Sequence, residues 1–317
     1  MFRYRLYGTT VENELSFPEL DTAFRQRSNS EKTITIEKRV FPFEKPKGRP
    51  DSFHNLNYWH SPDGSSVVIE SSLAGNIRVN FSKRLIQWSP SGRKDNSPDL
   101  GQVILRGRAV GLLLPHLKPS FLLHASVVVR NNEAIAFCGL VFGGKSTLTA
   151  YFLNKGFSLL SDDIAVIQRN NSGFFVQPGV PEFRLWSNAA RRLNLSKMEG
   201  KPLIAGLKKL RFPLTSETPW RFFSKPTPLK ALYVLSRKKG GFGQVLIEKP
   251  RDSQNLIALL QSAYNPVLRD EKIMRQNFEM ASWLTQEVPV KRLVYPSGFS
   301  HLSKVYRAVI RDLAVSS

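Results

Sequence analysis

The stretch "FCGLVFGGKSTL", residues 137–148, follows an apolar run and carries Gly139, Gly144, Lys145 and Ser146 at the spacing G-x-x-x-x-G-K-[ST]. In a loop of this kind, backbone N–H groups at the start of a helix point at phosphate oxygens, and the helix dipole also favours anions. The lysine reaches the terminal phosphates, and the hydroxyl can bind Mg²⁺. The stretch therefore predicts a phosphate-binding loop.

Val141 and Phe142 are bulky, whereas loops of this type usually carry small or polar residues at these positions. The donors are backbone N–H groups, which any residue except proline supplies, but a bulky side chain must avoid positive φ and turn away from the phosphate. Gly143 and Gly144 leave the backbone free at the tight end of the loop. Two alternatives stay open: a glycine-rich turn without a ligand, and a degenerate loop in a nucleotide-binding pseudokinase.

The residues around the loop have the order strand, glycine-rich loop, helix, strand, which is the context of a true phosphate loop. The predicted elements are a helix over residues 102–117 stopped by Pro115, one strand over 121–130, a turn at "NNE", a strand over 134–140, a helix over 145–156 and one strand over 157–169. Short β-like segments, including "TITIEKRV", "SSVVIESS" and "NIRVNFS", precede this region. We therefore predict an α/β fold with a β-rich domain over 1–105 and a second domain over 106–317.

Composition limits the class of protein. The 317 residues are 41% hydrophobic and 11% aromatic, which supports a core and argues against disorder. Cys138 is the single cysteine, so an intramolecular disulfide and a thiolate-rich metal site are excluded. The first residues contain no apolar core of signal-peptide length, and no window has 18 uninterrupted apolar residues. We expect a cytoplasmic protein without a membrane partner, and a homo-oligomer stays open.

The charge of +21 predicts an anionic partner. Between residues 183 and 240 there are 14 basic residues and two acidic ones, Glu199 and Glu217. An acidic peptide, a polyphosphate, nucleic acid or a solvated basic surface would each fit this excess. Nucleic acid is disfavoured because no groove-reading motif is present and the aromatic residues are not interleaved with the basic run.

Two further features accompany the loop. Asp162 and Asp163 follow the apolar residues "LL" in the predicted strand, and adjacent carboxylates at a buried strand end need a cation or a proton nearby. Since neighbours in a strand face opposite sides, one of them can bind Mg²⁺ or hold the loop while the other faces a substrate. His124 lies within an apolar strand one element earlier. The alternatives are a polar cap before a turn for the aspartates and a hydrogen-bonded core residue for His124.

The segment "LHASVVV…IAFCGL…GGKSTLTAYFLNKGFSLLSDDIAVI" resembles HPr kinase/phosphorylase, and more closely the related kinases of lasso-peptide gene clusters, which modify peptides at serine. In that family a histidine precedes the phosphate loop, and a helix, a glycine and a strand ending in paired aspartates follow it. The alignable core is roughly residues 120–190. The sequence departs from the family at Val141-Phe142, which bears on nucleotide affinity. It also lacks the later Pro-Gly-Arg-Asn segment, so phosphorylase activity and HPr as the substrate stay open.

The resemblance implies a kinase core of the HPr kinase and PEP-carboxykinase type that uses ATP and Mg²⁺ to phosphorylate a serine on a peptide or small protein. It implies that Asp163 is the base, that Asp162 and His124 belong to the active site, and that Lys145 binds phosphate. The similarity of "PEFRLW" to a later family signature makes Glu182 a Mg²⁺ ligand beside Ser146, and Arg184 a phosphate-side cation. The implied nucleotide-binding residues are Gly139, Leu140, Val141, Phe142, Gly143, Gly144, Lys145, Ser146, Thr147 and Arg184.

The first prediction concerns the two bulky loop residues. Because the donors are backbone groups, we expect Phe142→Gly or Val141→Ser to change ATP affinity by about tenfold or less, measured by calorimetry. If the native protein binds no ATP at millimolar concentration and the Val141→Ser/Phe142→Gly double variant does, the loop is closed in the native protein and the pseudokinase alternative is correct.

Overall fold

The structure is a computed structural model in which the chain forms two compact units. It describes residues 1–18, 20, 33–46, 48–53, 56–92, 98–140, 143–195, 198–202, 208–238, 243–264 and 270–315. Val141 and Phe142 lie outside the described residues. In the part of the chain that the structure describes, no helix has the length and apolar character needed to cross a membrane.

The first unit contains residues 1–120 and the described residues 270–276. Its main element is an eight-stranded sheet. Its strands are β1 Phe2–Leu6, β2 Thr9–Asn13, β3 Thr33–Lys38, β4 Asp51–Phe53, β5 Leu56–His60, β6 Ser66–Ser71, β7 Gly75–Asn80 and β8 Leu85–Ser89. They lie in the order β1-β2-β3-β8-β7-β6-β5-β4, and β6 and β7 are antiparallel neighbours. The predicted strands "TITIEKRV", "SSVVIESS" and "NIRVNFS" are confirmed as β3, β6 and β7.

Helical residues end this unit. They are α1 Pro98–Ile104, a π-helical turn Leu105–Ala109 and α2 Val110–Leu117. Pro115 lies inside α2, so the expectation that it stops the helix is wrong. The fixed φ of proline suits a helix, and near the last turn its missing N–H costs a single hydrogen bond. The unit extends to Ser120, past the predicted boundary after residue 105.

The second unit contains residues 121–202, 208–264 and 277–317 and is a mixed α/β structure. Its larger strands are β9 Phe121–Leu123, β10 Ala125–Arg130, β11 Glu133–Cys138, β12 Ser158–Ser161, β13 Ala165–Asn170, β14 Gly173–Gln177, β18 Thr227–Lys238, β19 Leu246–Glu248 and β20 Val290–Pro296. A three-stranded sheet contains β15 Glu182–Trp186, β16 Lys201–Pro202 and β17 Lys209–Pro213 in the order β15-β17-β16. The helices are α3 Lys145–Leu153, α4 Ser187–Arg192, α5 Asp252–Gln261, α6 Glu271–Glu287, of which residues from 277 onward belong here, and α7 Leu302–Val315.

The nine strands form one sheet in the order β12-β10-β11-β18-β14-β13-β9, with β20 beside β18 and β19 beside β20. The centre is parallel, because β18 runs parallel to both β11 and β20. In such sheets, ligands bind beyond the carboxyl ends of the parallel strands. The phosphate loop follows the carboxyl end of β11, which places it at this edge.

Helices cover both faces of the sheet, and the side chains of β11, which point alternately to the two faces, pack against both helical layers. Ile135 and Phe137 pack into a cluster that includes Phe152 of α3 and Val309 of α7. The intervening residues of β11 pack into a second cluster with α5 and α6, whose members include Ala136, Leu259 and Leu284. Successive strand residues point to opposite faces, so the apolar residues 134–138 of β11 require a covering layer on each side.

Two segments predicted as single strands are each divided in two. Residues 121–130 form β9 and β10 with a break at His124, and residues 157–169 form β12 and β13 with a break at residues 162–164. The expectation of continuous strands is wrong because each segment changes partners at its break: β9 pairs with β13, whereas β10 pairs with β12. The two breaks therefore lie at the same place in the sheet.

We expect the buried contact of β20 with α7 to stabilise this unit. Lys291 is 3% exposed, and its Nζ lies 2.7 Å from Oδ2 of Asp312, which also accepts a hydrogen bond of 2.6 Å from the Tyr233 hydroxyl. Asp312→Ala removes this carboxylate from a buried lysine, so we expect the free energy of unfolding, measured with urea, to fall by about 3 kcal/mol or more. The matched control is Glu248→Ala, which removes the half-exposed ion-pair partner of Arg292, a residue of β20 next to Lys291. We expect the free energy of unfolding to fall by about 1 kcal/mol or less in this variant. Equal losses in the two variants would contradict the buried role.

Candidate active site

Glycine conformation and a contact from β20 shape the phosphate loop. Gly144, directly before α3, has φ of +93°, and a Cβ there would lie 2.6 Å from the hydroxyl oxygen of Tyr295. Only glycine adopts this positive φ without strain and lacks the Cβ that would clash with Tyr295. The Tyr295 hydroxyl donates a hydrogen bond of 2.9 Å to the carbonyl oxygen of Gly143. The tight end of the loop is thus held by β20 as well as by its own sequence.

Lys145 is the first residue of α3, and its ammonium group turns back into the loop. Its Nζ donates hydrogen bonds to the carbonyl oxygens of Gly139 at 2.8 Å and Leu140 at 3.1 Å. Burial lowers the pKa of this lysine, an effect that the nearby carboxylates Asp162 and Asp163 oppose. The predicted phosphate-binding lysine therefore lies at the loop, near both aspartates.

Asp163 lies in the break between β12 and β13 with φ of +69°, a left-handed conformation that aspartate tolerates better than most residues. Its Oδ2 lies 3.3 Å from a terminal nitrogen of Arg184, and its Oδ1 lies 3.4 Å from Nδ1 of His124. The same Nδ1 donates to the backbone carbonyl oxygen of Asp163 at 3.0 Å, since a carbonyl can only accept. His124 thus fixes the backbone of the predicted base.

The surroundings of His124 favour its neutral imidazole form. Burial lowers its pKa, with the Asp163 carboxylate acting in the opposite direction. In the neutral form with a proton on Nδ1, the other ring nitrogen Nε2 carries a lone pair. The imidazole therefore orients Asp163 without adding a positive charge beside it.

Asp162 has a different environment from Asp163. Its Oδ1 accepts a hydrogen bond of 2.6 Å from the hydroxyl of Ser126 on β10, and its Oδ2 accepts one of 3.0 Å from the backbone N–H of Arg184 on β15. Burial raises its pKa, although the Ser126 hydrogen bond favours the ionised form. Asp162 therefore connects three segments, which suits a positioning role. The carboxylate oxygens of Asp163 lie 3.3 Å from Arg184 and 3.4 Å from His124.

Glu182 and Arg184 lie beside the aspartates and form an ion pair with each other. Arg184 Nε donates to Glu182 Oε1 at 3.1 Å, and Arg211 donates to Glu182 Oε2 at 3.1 Å. The Glu182 side chain is 1% exposed. Its charge is neutralised by two arginines in this arrangement, so Glu182 fits a structural role better than the predicted role of a magnesium ligand.

A cavity of about 600 Å³ joins the loop to the aspartates. Its lining includes these predicted site residues: His124, Gly143, Gly144, Lys145, Ser146, Thr147, Asp162 and Asp163. Gly139, Leu140, Glu182 and Arg184 are not among the described lining residues, and Leu140 is 78% exposed. The structure thus brings together the loop, the lysine, the histidine and both aspartates around one space.

Other residues that line this cavity were not predicted from the sequence. They are Ser126, Trp186, Ser187, Asn188, Ala189, Arg191, Lys208, Lys209, Arg237 and Phe299. The four cationic ones lie within the basic stretch 183–240, so the charge pattern indicates their region but not their position. No signal in the sequence marks Ser126 or Phe299, which chain folding alone brings to the cavity.

The residues present fit a nucleotide better than a metal ion held by protein alone. The start of α3, Lys145 and four other cationic side chains line the cavity, and its volume lies within the usual range of about 300–1,000 Å³ for ligand sites. No group of three or more His, Cys, Asp or Glu side chains that could hold a metal occurs among the described residues. Magnesium in phosphate sites typically takes only one or two protein ligands, which Ser146 and an aspartate can supply.

Comparisons with known proteins leave the family of this chain open. No protein-family model matches the chain, and no curated protein is significantly similar to it. A solved structure, the Hpr(Ser) kinase/phosphatase from Coxiella burnetii, aligns with 62% of this chain and 99% of its own, at 10% identity and a TM-score of 0.30. A likeness at that level carries no argument about function. The similarity to lasso-peptide kinases stays a prediction.

Proposed function

We propose that this protein is an ATP- and Mg²⁺-dependent kinase that phosphorylates a serine hydroxyl on a peptide or small protein. One observation carries the proposal: the glycine-rich loop at the start of α3 opens into the same cavity as Asp162, Asp163 and His124. A phosphate-binding loop and a carboxylate base around one space are the two requirements for phosphoryl transfer to a hydroxyl.

Each residue has a separate task in this proposal. MgATP, when bound, would supply the phosphoryl group. The backbone N–H groups at the start of α3 and the ammonium of Lys145 hold the negative charge that develops on the phosphate oxygens. Asp163 accepts the proton of the acceptor hydroxyl, while His124 holds the Asp163 backbone. Asp162 fixes the break between β12 and β13 through Ser126 and the backbone of Arg184.

The environment of Asp163 supports its role as the base. A general base must stay ionised at working pH and must present a free lone pair to the hydroxyl. The Arg184 guanidinium lies 3.3 Å from Oδ2 of Asp163, and a positive charge at that distance favours the carboxylate form of the base.

A second candidate function is nucleotide binding without transfer. The observation in its favour is the Lys145 ammonium, which donates to two carbonyl oxygens of its own loop. A lysine kept in those contacts would not reach a phosphate. If the ammonium stays on the two carbonyls when ATP is bound, the transferring phosphoryl group loses its lysine, so transfer of labelled phosphate by a protein shown to bind ATP separates the two functions.

The second functional prediction concerns the base. Asp163→Asn should lower the rate of phosphoryl transfer by about a hundredfold or more, the size of a typical general-base contribution. Asparagine tolerates the left-handed backbone of residue 163 as aspartate does, so the local backbone is kept while the basicity and the charge facing Arg184 are lost. Transfer of labelled phosphate to a serine-containing peptide is measured, with ATP affinity determined separately by calorimetry.

The matched control is Asp252→Asn at the exposed start of α5, which should leave transfer unchanged. An Asp163→Asn protein with the turnover of the native protein would remove Asp163 from the role of base. Loss of ATP binding together with turnover would assign it to nucleotide binding instead.

The third functional prediction concerns Lys145. Lys145→Ala should weaken ATP binding by roughly ten- to a hundredfold, since a hydrogen bond from a charged donor contributes about 1.5–3 kcal/mol, or should abolish transfer. The control Lys155→Ala removes an exposed lysine just beyond the same helix and should change neither quantity. Normal ATP affinity and normal turnover in Lys145→Ala, with a lowered melting temperature, would mean that the glycine-rich turn is purely structural.

A further inference from the structure

A second cavity adjoins the first and differs from it in charge. Its volume is about 740 Å³, and its described lining consists of Asn188, Arg191, Arg192, Gly298, Phe299 and Ser300. Three of these residues, Asn188, Arg191 and Phe299, also line the first cavity. The two spaces are therefore neighbours that share a wall, and the second lies beyond α4 and the turn after β20.

The charge of the second cavity is entirely positive among its described residues. Arg191 and Arg192 are both exposed, and no aspartate or glutamate is part of the described lining. Two neighbouring guanidinium groups repel each other, and an anion between them offsets that repulsion. Arginine also binds carboxylates through two parallel hydrogen bonds, which favours a carboxylate-bearing occupant.

Arg192 contacts an aromatic ring that lines the same cavity. Its guanidinium carbon lies 5.7 Å from the centre of the Phe299 ring, within the range of cation–π attraction. Arg192 lines the second cavity and is not among the described lining residues of the first. Arg191 lines both, so it is placed to bridge the two occupants.

We propose that the second cavity binds acidic residues next to the acceptor serine of a peptide substrate. The inference rests on the proposed kinase function, because it takes a serine-bearing peptide as the acceptor. The phosphate loop, Lys145 and Ser146 already account for a nucleotide's phosphates in the first cavity. A peptide whose serine reaches Asp163 continues for about 3.3–3.6 Å per residue beyond it, which requires an adjoining space. The arginine-lined cavity supplies that space and selects glutamate or aspartate.

The test uses two fluorescein-labelled dodecapeptides that each carry one central serine. One has glutamates on both sides of the serine, and the other has glutamines at the same positions. We expect the full-length protein to bind the glutamate peptide about tenfold more tightly by fluorescence anisotropy, and the preference to weaken as salt is raised. In Arg192→Gln and in Arg191→Gln/Arg192→Gln the preference should fall to about twofold or less.

The matched control is Arg307→Gln/Arg311→Gln, which removes two exposed arginines of α7 that line neither cavity among the described residues. It should keep the full preference. Equal affinity for the two peptides, binding of neither, or an equal loss in both double variants overturns the inference. A tenfold loss of ADP affinity in Arg192→Gln with the peptide preference intact also overturns it, since the cavity would then belong to the nucleotide.

The binding measurement needs neither ATP nor turnover, so its result is independent of phosphoryl transfer. If the native protein binds the glutamate peptide with the expected preference but transfers no phosphate to it, the proposed kinase function fails alone. If it phosphorylates both peptides equally and binds them equally, the kinase function stands and the acidic subsite is absent.

Discussion

The change of strand partners at two breaks is the constraint on which the site depends. β9 and β10 are separated by one residue, His124, and β12 and β13 by residues 162–164, and the pairs β9–β13 and β10–β12 place both breaks together. A residue in a continuous ladder has its backbone groups engaged with neighbouring strands, whereas a break releases them. At these breaks the released carbonyl of Asp163 accepts a hydrogen bond from His124 instead.

The charges around the breaks are arranged so that buried acids are satisfied by different partners. Asp162 is satisfied by neutral donors, a hydroxyl and a backbone N–H, whereas Asp163 and Glu182 share Arg184, and Arg211 completes the pairing of Glu182. A buried carboxylate without a partner costs several kcal/mol, so such a cluster is stable only as a set. Removal of one member therefore affects its neighbours, which is why an isosteric change at residue 163, which removes the charge but keeps the shape, is more informative than a truncation.

The sequence predicts the loop, the helix after it and the paired aspartates because these depend on local rules: glycine spacing, apolar periodicity and the burial cost of carboxylates. It does not predict the two breaks, since in "FLLHASVVVR" and "FSLLSDDIAVIQR" apolar, strand-forming residues continue on both sides of the polar ones. Only pairing with distant strands divides them. The same reason explains Ser126 and Phe299, which reach the cavity through long-range packing, whereas Arg191, Lys208 and Arg237 lie in a basic stretch that the charge pattern identifies.

Part of the positive charge lies at the two cavities, whose described lining contains six lysine and arginine side chains. The first cavity contains two aspartates among several cations, and the second contains arginines alone among its described residues. A transferring phosphoryl group needs cations on one side and a carboxylate base on the other, which is the composition of the first cavity. Among its described lining residues the second cavity has no carboxylate, so on the proposed kinase function its arginines would bind an acidic ligand beside the first cavity.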